Sequence, residues 1–500
     1  MIPTKLASVL DITSGKLSKK DLEVVKEASC KSKPSLFDTT VKEIARRYSG
    51  DQVAVLAEAL NRRFPASAKY MPLAPTNWLR FFAQQDSGVY SGEVERTLRD
   101  ATGPLAHEDP RQELFEQRCD DLGLDSLLAD CERRVNSGAQ SLAVLLGWQR
   151  AALPGDVTRP LAQLYWPHQV QVVCLPDQPD QQEALLAVVV QQEANADPMS
   201  KVSWVWWRSY DEASKTFGSW YHARIVADAP GAVEQYVGER LPIVFLRLGQ
   251  STGFFPECDA DICAQVDSLN VSKSNEQFLG EMQAHSQLVY SGRELDVENL
   301  IVGPDRITKI GPEETLQSIS QTNSVDQLRA SRELALREIA VSRSASPDSY
   351  SPTASAPASG VARQIANIPH DVKLKQQEAL YKAFEERYLL PLLLELIELY
   401  DTTAPTMSGL TVDVHYEVKP FESDTEKAEK KAKHQALVKE QLDAGLISKA
   451  RAAVELDLYP TIDDAVVAGL SNSLGSTASG GSILDLIAQA PAAVPTEGNQ

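Results

Sequence analysis

LPIVFLRLG at 241–249, followed by DADICAQVDSLNVSKSNEQFLGEMQAHSQLVYSG at 259–292, decides how this chain is read. The first piece is short, apolar and β-branched, as a buried strand is. The second carries Ile262, Val266 and Leu269, then Phe278, Met282 and Val289, at helical spacing along one narrow stripe. A single helix over 259–290 would be roughly 48 Å long, longer than a small domain is wide. Such a helix needs neighbours along its length, and side-by-side copies of the same chain would supply them.

Working outward, RELDVENLIVGPDRITKIGPEETLQSI at 293–318 holds two strand-like pieces around GPD and GPE turns. It is too small to fold alone and is expected to complete a sheet with a neighbouring subunit. VDQLRASRELALREIAV returns as a helix from Val325 to Val341, and SRSASPDSYSPTASAPASG at 342–360, with three prolines, has loop composition. Residues 361–400 are helical again, with kinks expected before Pro369 and Pro391. TVDVHYEVKP at 411–420 alternates as one strand expected to join the sheet upstream, and DTEKAEKKAKHQALVKEQLDAGLISKARAAVEL forms charged helices.

Upstream, VKEIARRY and VAVLAEALNRRF place a helical arm over 1–60. The stretch ELFEQRCDDLGLDSLLADCERRVNSGAQSLAVLLGW is read as an amphipathic helix with Leu122, Leu124, Leu127, Leu128 and Cys131 on its stripe. From 160 to 250 the period changes to two, in HQVQVVCL, ALLAVVVQQ, SWVWWRSYD, SWYHARIVAD and LPIVFLRLG, the pattern of a meandering antiparallel sheet. Trp166, Trp204, Trp206, Trp207 and Trp220 fall here and are read first as core packing.

A chain of 500 residues exceeds one comfortable core, and 43% hydrophobic with 7% aromatic residues suits a folded, helix-rich protein. A formal charge of −20 argues against tight nucleic-acid binding, which needs Lys and Arg on phosphates. Cys30, Cys119, Cys131, Cys174, Cys258 and Cys263 form no CxxC pair, so they read as reduced thiols, and neither a disulfide framework nor a metal or other cofactor site is expected. The N-terminus lacks a signal-peptide pattern. The most apolar run, LLPLLLELIELY at 389–400, is too short for a bilayer, so no membrane role is expected. There is no GxxxxGK[ST], no HExxH and no GxGxxG opening a helix after a strand, and the seven histidines are dispersed, so no enzymatic role is expected.

The order of these segments resembles that of the portal (head-tail connector) proteins of tailed bacteriophages. LPIVFLRLG before DADICAQVDSLNVSKSNEQF is similar to the family's strand and stem helix, with Asn270 and Ser274 at its polar positions. SGVARQI at 359–365 resembles the start of the tunnel helix, and KAEKKAKHQALVKEQLDAGLISKARA a crown-side segment. The match in order spans roughly residues 60–460, and its specificity lies in four loose motifs occurring in sequence.

The resemblance implies an α+β, mostly helical fold: arm 1–60, wing 61–258, stem helix 259–292, clip 293–320, second stem helix 321–343, tunnel loop 344–360, long helix and wing strand 361–422, crown 423–470 and a flexible tail 471–500. It implies a ring of about twelve copies at one capsid vertex of a virion, made in the host cytoplasm, through which double-stranded DNA passes with weak contacts. The implied partners are the terminase large subunit, head-tail adaptor and tail proteins, and major capsid and scaffolding proteins. Twelve copies at −20 would sum to about −240, a field that repels phosphates and lets DNA slide.

The same resemblance places Lys273, Arg329, Arg332, Arg337 and Arg343 on the stem, and Ser344, Ser346, Asp348, Ser349, Tyr350 and Ser351 in the loop nearest DNA. It places Arg293, Glu294, Asp305, Arg306, Lys309 and Glu313 in the clip, facing docking partners. The plainer reading of the arginines is pairing with Glu333 and Glu338 at helical spacing or across subunits. The plainer reading of the whole chain is a helical scaffold or adaptor whose Lys/Glu-rich 424–455 segment binds other proteins.

Overall fold

The computed structural model describes residues 2–29, 33, 36–149, 159–192, 202–226, 229–249, 251, 253–284, 287–291, 315–319, 325–347, 349–350, 360–401 and 404–416, and the single positions Val438, Gln441 and Arg451. Two compact units divide at Val418. In the second, the three described residues are helical. All that follows concerns the first, an α+β body with antiparallel sheets.

The largest sheet has six strands: β1 (Lys16–Leu17), β6 (Val170–Cys174), β7 (Leu185–Gln192), β8 (Val202–Asp211), β9 (Thr216–Val226) and β10 (Gly231–Gln235), in the order β1-β10-β9-β8-β7-β6. This is the predicted meander except for LPIVFLRLG, which pairs in a separate sheet. Adjacent side chains of a strand point to opposite faces, and here both faces are covered. Trp206, Val188 and Val190 belong to the central core, whereas Trp207, Val189 and Leu186 pack under helices α1 (Thr4–Leu10) and α2 (Lys19–Ser29) with Leu6, Val9, Leu22 and Val25. That explains the unbroken apolar run LLAVVV. Trp207 is fully buried, and its Nε1 donates to the Ile12 carbonyl at 2.9 Å.

A second sheet, in the order β11-β4-β5, joins β11 (Ile243–Arg247), β4 (Ser141–Gln149) and β5 (Arg159–Tyr165). Here the structure corrects the sequence reading. SLAVLLGW continues no helix; α6 (Pro110–Leu122) and α7 (Leu124–Arg134) end before it, and Gly138 at φ 105° turns the chain into the strand. Ala143, Ile243 and Phe245 face the central core, while Leu142, Val144, Leu146, Val244 and Leu246 face a second core with Leu128, Leu390, Leu393 and Ile397.

β14 (Thr411–Tyr416) does not join the large sheet as expected. It pairs with β2 (Val94–Asp100), which pairs with β3 (Gly103–Pro104), because its inward residues Val412, Val414 and Tyr416 complete the second core beside Leu98.

Helices α3 (Phe37–Ser49), α4 (Gln52–Arg63) and α5 (Trp78–Asp86) surround the base of α8 (Asp261–Ala284). α8 ends eight residues short of the predicted 292, where β12 (Gln287–Ser291) begins and pairs with β13 (Thr315–Ile319). β12 thus occupies the end of the predicted helix, β13 overlaps the end of the predicted insert, and residues 292–314, which hold the GPD and GPE turns, lie outside the described residues. α9 (Val325–Ser342) then packs along α8. α10 (Gly360–Phe384) runs unbroken through Pro369, and a wider π-type turn at Glu385–Leu389 precedes α11 (Leu390–Tyr400), whose first turn holds Pro391. The helix thus continues past Pro369, and the widened turn lies just before Pro391.

Candidate functional site

The pair α8 and α9, with β12 and β13 between them in sequence, is the element that the reading from sequence treats as functional. Glu276 of α8 accepts Arg329 Nε at 2.6 Å and also binds Arg332, tying the two helices together. The arginines therefore pair across the helix pair within one subunit. Burial pulls the Glu276 carboxyl upward, but the hydrogen bonds and charges of Arg329 and Arg332 outweigh it and hold it below the usual range.

Lower on α8, Asn270 Oδ1 accepts the Thr76 N–H at 3.0 Å and Ser274 Oγ accepts the Ala74 N–H at 3.3 Å. Lys273 Nζ donates to Thr76 Oγ1 at 2.6 Å. Asn270, Lys273 and Ser274 thus clamp the loop before α5 to α8. Arg47 of α3 adds a two-pronged bond to Asp267, at 3.0 and 2.8 Å.

At the other end of α9 the chain turns into a buried ionic knot. Ser344 adopts φ 61°, and the Ala345 N–H reaches back to the Ala340 carbonyl at 2.8 Å, closing the helix with a left-handed turn. Arg343 then reaches Asp86 at the end of α5, donating through Nε to Oδ2 at 2.7 Å, and binds the Asn136 carbonyl and Asp259. Lys373 of α10 donates to the same Asp86 oxygen at 3.0 Å, and Tyr350 donates its hydroxyl to Oδ1. Asp86 and Tyr350 are fully buried. Burial lowers Lys373 from its ordinary value, with Asp86 opposing. Burial also acts to lower Arg343, but Asp86 and the Tyr350 phenol leave it raised.

A second buried carboxylate lies beyond α10. Glu385 accepts Arg96 Nε at 2.7 Å, the Tyr90 hydroxyl at 2.8 Å and the Tyr416 hydroxyl at 2.6 Å, joining the π-type turn to β2 and β14. Nearby, Glu132 of α7 takes three main-chain N–H groups, from Gly88, Val89 and Tyr90. Sequence spacing carries no sign of these networks, because their members lie as far as 295 residues apart.

Several predicted contact residues are therefore engaged inside the subunit. Ser346 and Tyr350 are buried and Arg343 is half-buried, so these three pack against the subunit's own body at the start of the expected tunnel loop. Lys273 and Arg332 are half-buried in the pairs above. Arg329, Arg337, Ser344 and Ser349 are exposed. Asp348 and Ser351, and the clip residues Arg293, Glu294, Asp305, Arg306, Lys309 and Glu313, lie outside the described residues.

GQSTG at 249–253 matches the GxSxG spacing of hydrolase nucleophiles and follows a strand, which corrects the expectation that the chain lacks hydrolase motifs. No helix follows at once, since Phe254 and Phe255 dive into the core and α8 starts at Asp261. The Ser251 hydroxyl accepts the Gly253 N–H at 3.2 Å, the one hydrogen bond it makes among the described residues. Among the described residues, no cluster of three or more His, Cys, Asp or Glu could hold a metal ion, and no helix is long and apolar enough to cross a membrane.

No protein-family model and no curated protein matches the sequence. Among solved structures, the chain is similar to one from the neck of an empty gene transfer agent (GTA) particle computed with C6 symmetry, at 14% identity and TM-score 0.38, covering 81% of this chain and 94% of that one. A chain from the virion of a native GTA particle gives 13% and 0.37, with 81% and 94% covered. One from the neck of a native GTA particle computed with C12 symmetry gives 12% and 0.36, with 77% and 89% covered. At these scores the likeness carries no inference.

Proposed function

We propose that this chain is the subunit of a portal-type ring: about twelve copies around a channel for double-stranded DNA at a capsid vertex, docking the terminase large subunit on packaging and the head-tail adaptor and tail proteins afterwards. One observation carries the reading. α8 and α9 lie side by side, locked by Glu276 to Arg329 and Arg332, and β12 and β13 pair with each other in the chain between them. Helix, strand, strand, helix is the order that the sequence resemblance implies for stem and clip.

A paired stem suits a ring lining, since each subunit brings two rods braced against its own body by Asn270, Ser274 and Arg47. Leu334 and Val341, seven residues apart on α9, are 58% and 61% exposed in the isolated subunit, and a second copy alongside would cover them. The net charge of −20 per chain suits DNA that must move without sticking. Major capsid and scaffolding proteins would surround the ring, and no catalysis is assigned to it.

Native mass spectrometry and negative-stain microscopy of the purified full-length protein test this. A closed ring with a central hole is the expected result. A monomer or dimer across a range of salt and protein concentrations would overturn the reading in favour of a helical adaptor.

A further inference from the structure

Arg208 lies in a setting that its chemistry does not explain. It sits on β8 with its guanidinium against two aromatic faces, 3.6 Å from the Phe217 centroid and 4.6 Å from that of Trp220. Its Nε donates to the Leu185 carbonyl at 2.7 Å and Nη2 to the Glu183 carbonyl at 2.5 Å, both neutral acceptors. It forms no ion pair among the described residues, and Nη1 has no hydrogen-bond partner among them. Burial without a counter-charge lowers it from its ordinary value to about 10, opposite in direction to Arg46, Arg47, Arg96, Arg118 and Arg343, each of which binds a carboxylate. Desolvating a cation costs free energy that a nearby anion normally offsets.

The guanidinium lines a pocket of about 260 Å³ where the large sheet meets β11 and the turn before α11. Arg240 and Arg387 line it too, with Trp220 and Tyr388. Two carboxylates are present, but Glu183 already accepts the Tyr388 hydroxyl at 2.7 Å, and Glu239 binds none of the three arginines among the described residues. Arg387 makes no ion pair or hydrogen bond among the described residues. Arg240 is 54% exposed, and its nearest carboxylate, Glu395, is 3.7 Å away. Glu395 instead accepts the Glu239 and Arg240 main-chain N–H groups at 2.6 and 3.2 Å, fixing the loop that carries Arg240 at the rim.

We infer that this pocket binds an oxyanionic group, a phosphate or a carboxylate, held by Arg208, Arg240 and Arg387 against the Trp220 and Tyr388 rings. Planar guanidinium forks match both anions, and the volume admits one such group and a few attached atoms, below the range for a whole cofactor. A local excess of three arginines over two glutamates on a chain of net charge −20 marks the pocket off from the surface around it. The inference stands apart from ring formation.

Isothermal titration of the full-length protein with sodium phosphate and with sodium acetate, at fixed ionic strength in chloride buffer, tests it. One saturable site per chain is expected, weakened about tenfold or more by Arg387→Ala or Arg208→Lys, since a charge-assisted bond contributes roughly 1.5–3 kcal/mol. Preference for phosphate assigns a phosphate-bearing ligand; equal binding assigns a carboxylate. Arg387 is exposed, so its replacement should leave Tm unchanged and separates binding from folding. No saturable binding of either anion, or unchanged binding in the Arg387→Ala protein, would overturn the site.

Discussion

Arg343, the first residue beyond α9, and Asp86, the last of α5, are joined at 2.7 Å between Nε and Oδ2, with Asp86 wholly out of solvent. Lys373 of α10 shares that oxygen, so one carboxylate fixes the ends of two helices and the flank of a third. Two cations share this one buried anion, and Asp259, 3.4 Å from Arg343, supplies the second negative charge. The knot's remaining bonds, to the Asn136 carbonyl, Asp259 and the Arg343 carbonyl, offset part of the desolvation cost.

Removing that carboxylate should be severe. Asp86→Ala strands Arg343 and Lys373 without their main counter-charge, and breaking a buried pair on one side costs about 3–5 kcal/mol. Urea denaturation followed by circular dichroism measures this. A loss below about 1 kcal/mol would mean that water or Asp259 replaces Asp86.

Tyr350 offers a graded test of the same site. Its ring stacks on Phe82 with centroids 4.6 Å apart, and its hydroxyl binds Asp86. Tyr350→Phe keeps the stack and removes one bond to a charged group, an expected cost of about 1.5–3 kcal/mol. Tyr350→Ala also opens a cavity, for about 3–5 kcal/mol. Equal losses in the two variants would show that the hydroxyl alone anchors the turn.

The sequence carries what periodicity can encode. The meander from β6 to β10, the helical stripe of Ile262, Val266 and Leu269, and the return at Val325 all follow from spacing between neighbours in the chain. SLAVLLGW failed because a strand buried on both faces shows neither period, so an apolar run beside a helix reads as more helix. The pairing of β14 with β2 was not legible because Thr411 and its partner Arg99 lie 411 − 99 = 312 residues apart and only the shape of the second core selects the partner. The anchoring of Arg343 and Tyr350 was not legible for a related reason: the residue that binds both, Asp86, belongs to a helix end 257 residues upstream of Arg343.

Cysteine reactivity should follow burial. Burial raises the thiols of Cys119 and Cys174 to about 12 and that of Cys263 to about 11, and it also raises Cys131 and Cys258. Thiolate is the species that alkylates, and at pH 8 it is on the order of a thousandth or less of a thiol titrating at 11 or above. Iodoacetamide on the native protein should therefore label Cys119, Cys131, Cys174 and Cys263 only slowly, and rapidly in denaturant, as read by peptide mass spectrometry. Fast native labelling of Cys131, which is fully buried, would show that α7 opens readily.

Two glutamates should give the stability opposite slopes with pH. Glu276 is depressed in the folded state, so its contribution is present above the unfolded carboxyl value of about 4.3 and is lost as pH falls through the lower folded value. Glu132 is raised, chiefly by burial, with the N–H groups of Val89, Gly88 and Tyr90 opposing only in part. The fold therefore favours its protonated form, and stability declines as pH rises from about 4.3 through the higher folded value. Glu276→Gln should lose about 1 kcal/mol or less at pH 7, because Arg329 is well exposed, and the deficit should vanish in acid. Glu132→Gln can keep its carbonyl oxygen on the Gly88 and Val89 N–H groups, which bind the one atom Oε1 at 2.7 and 2.9 Å, so it should fold and gain on the wild type as pH rises. Urea midpoints measured from pH 3.5 to 7 for the three proteins decide both points; parallel curves would mean that neither carboxyl titrates differently on folding.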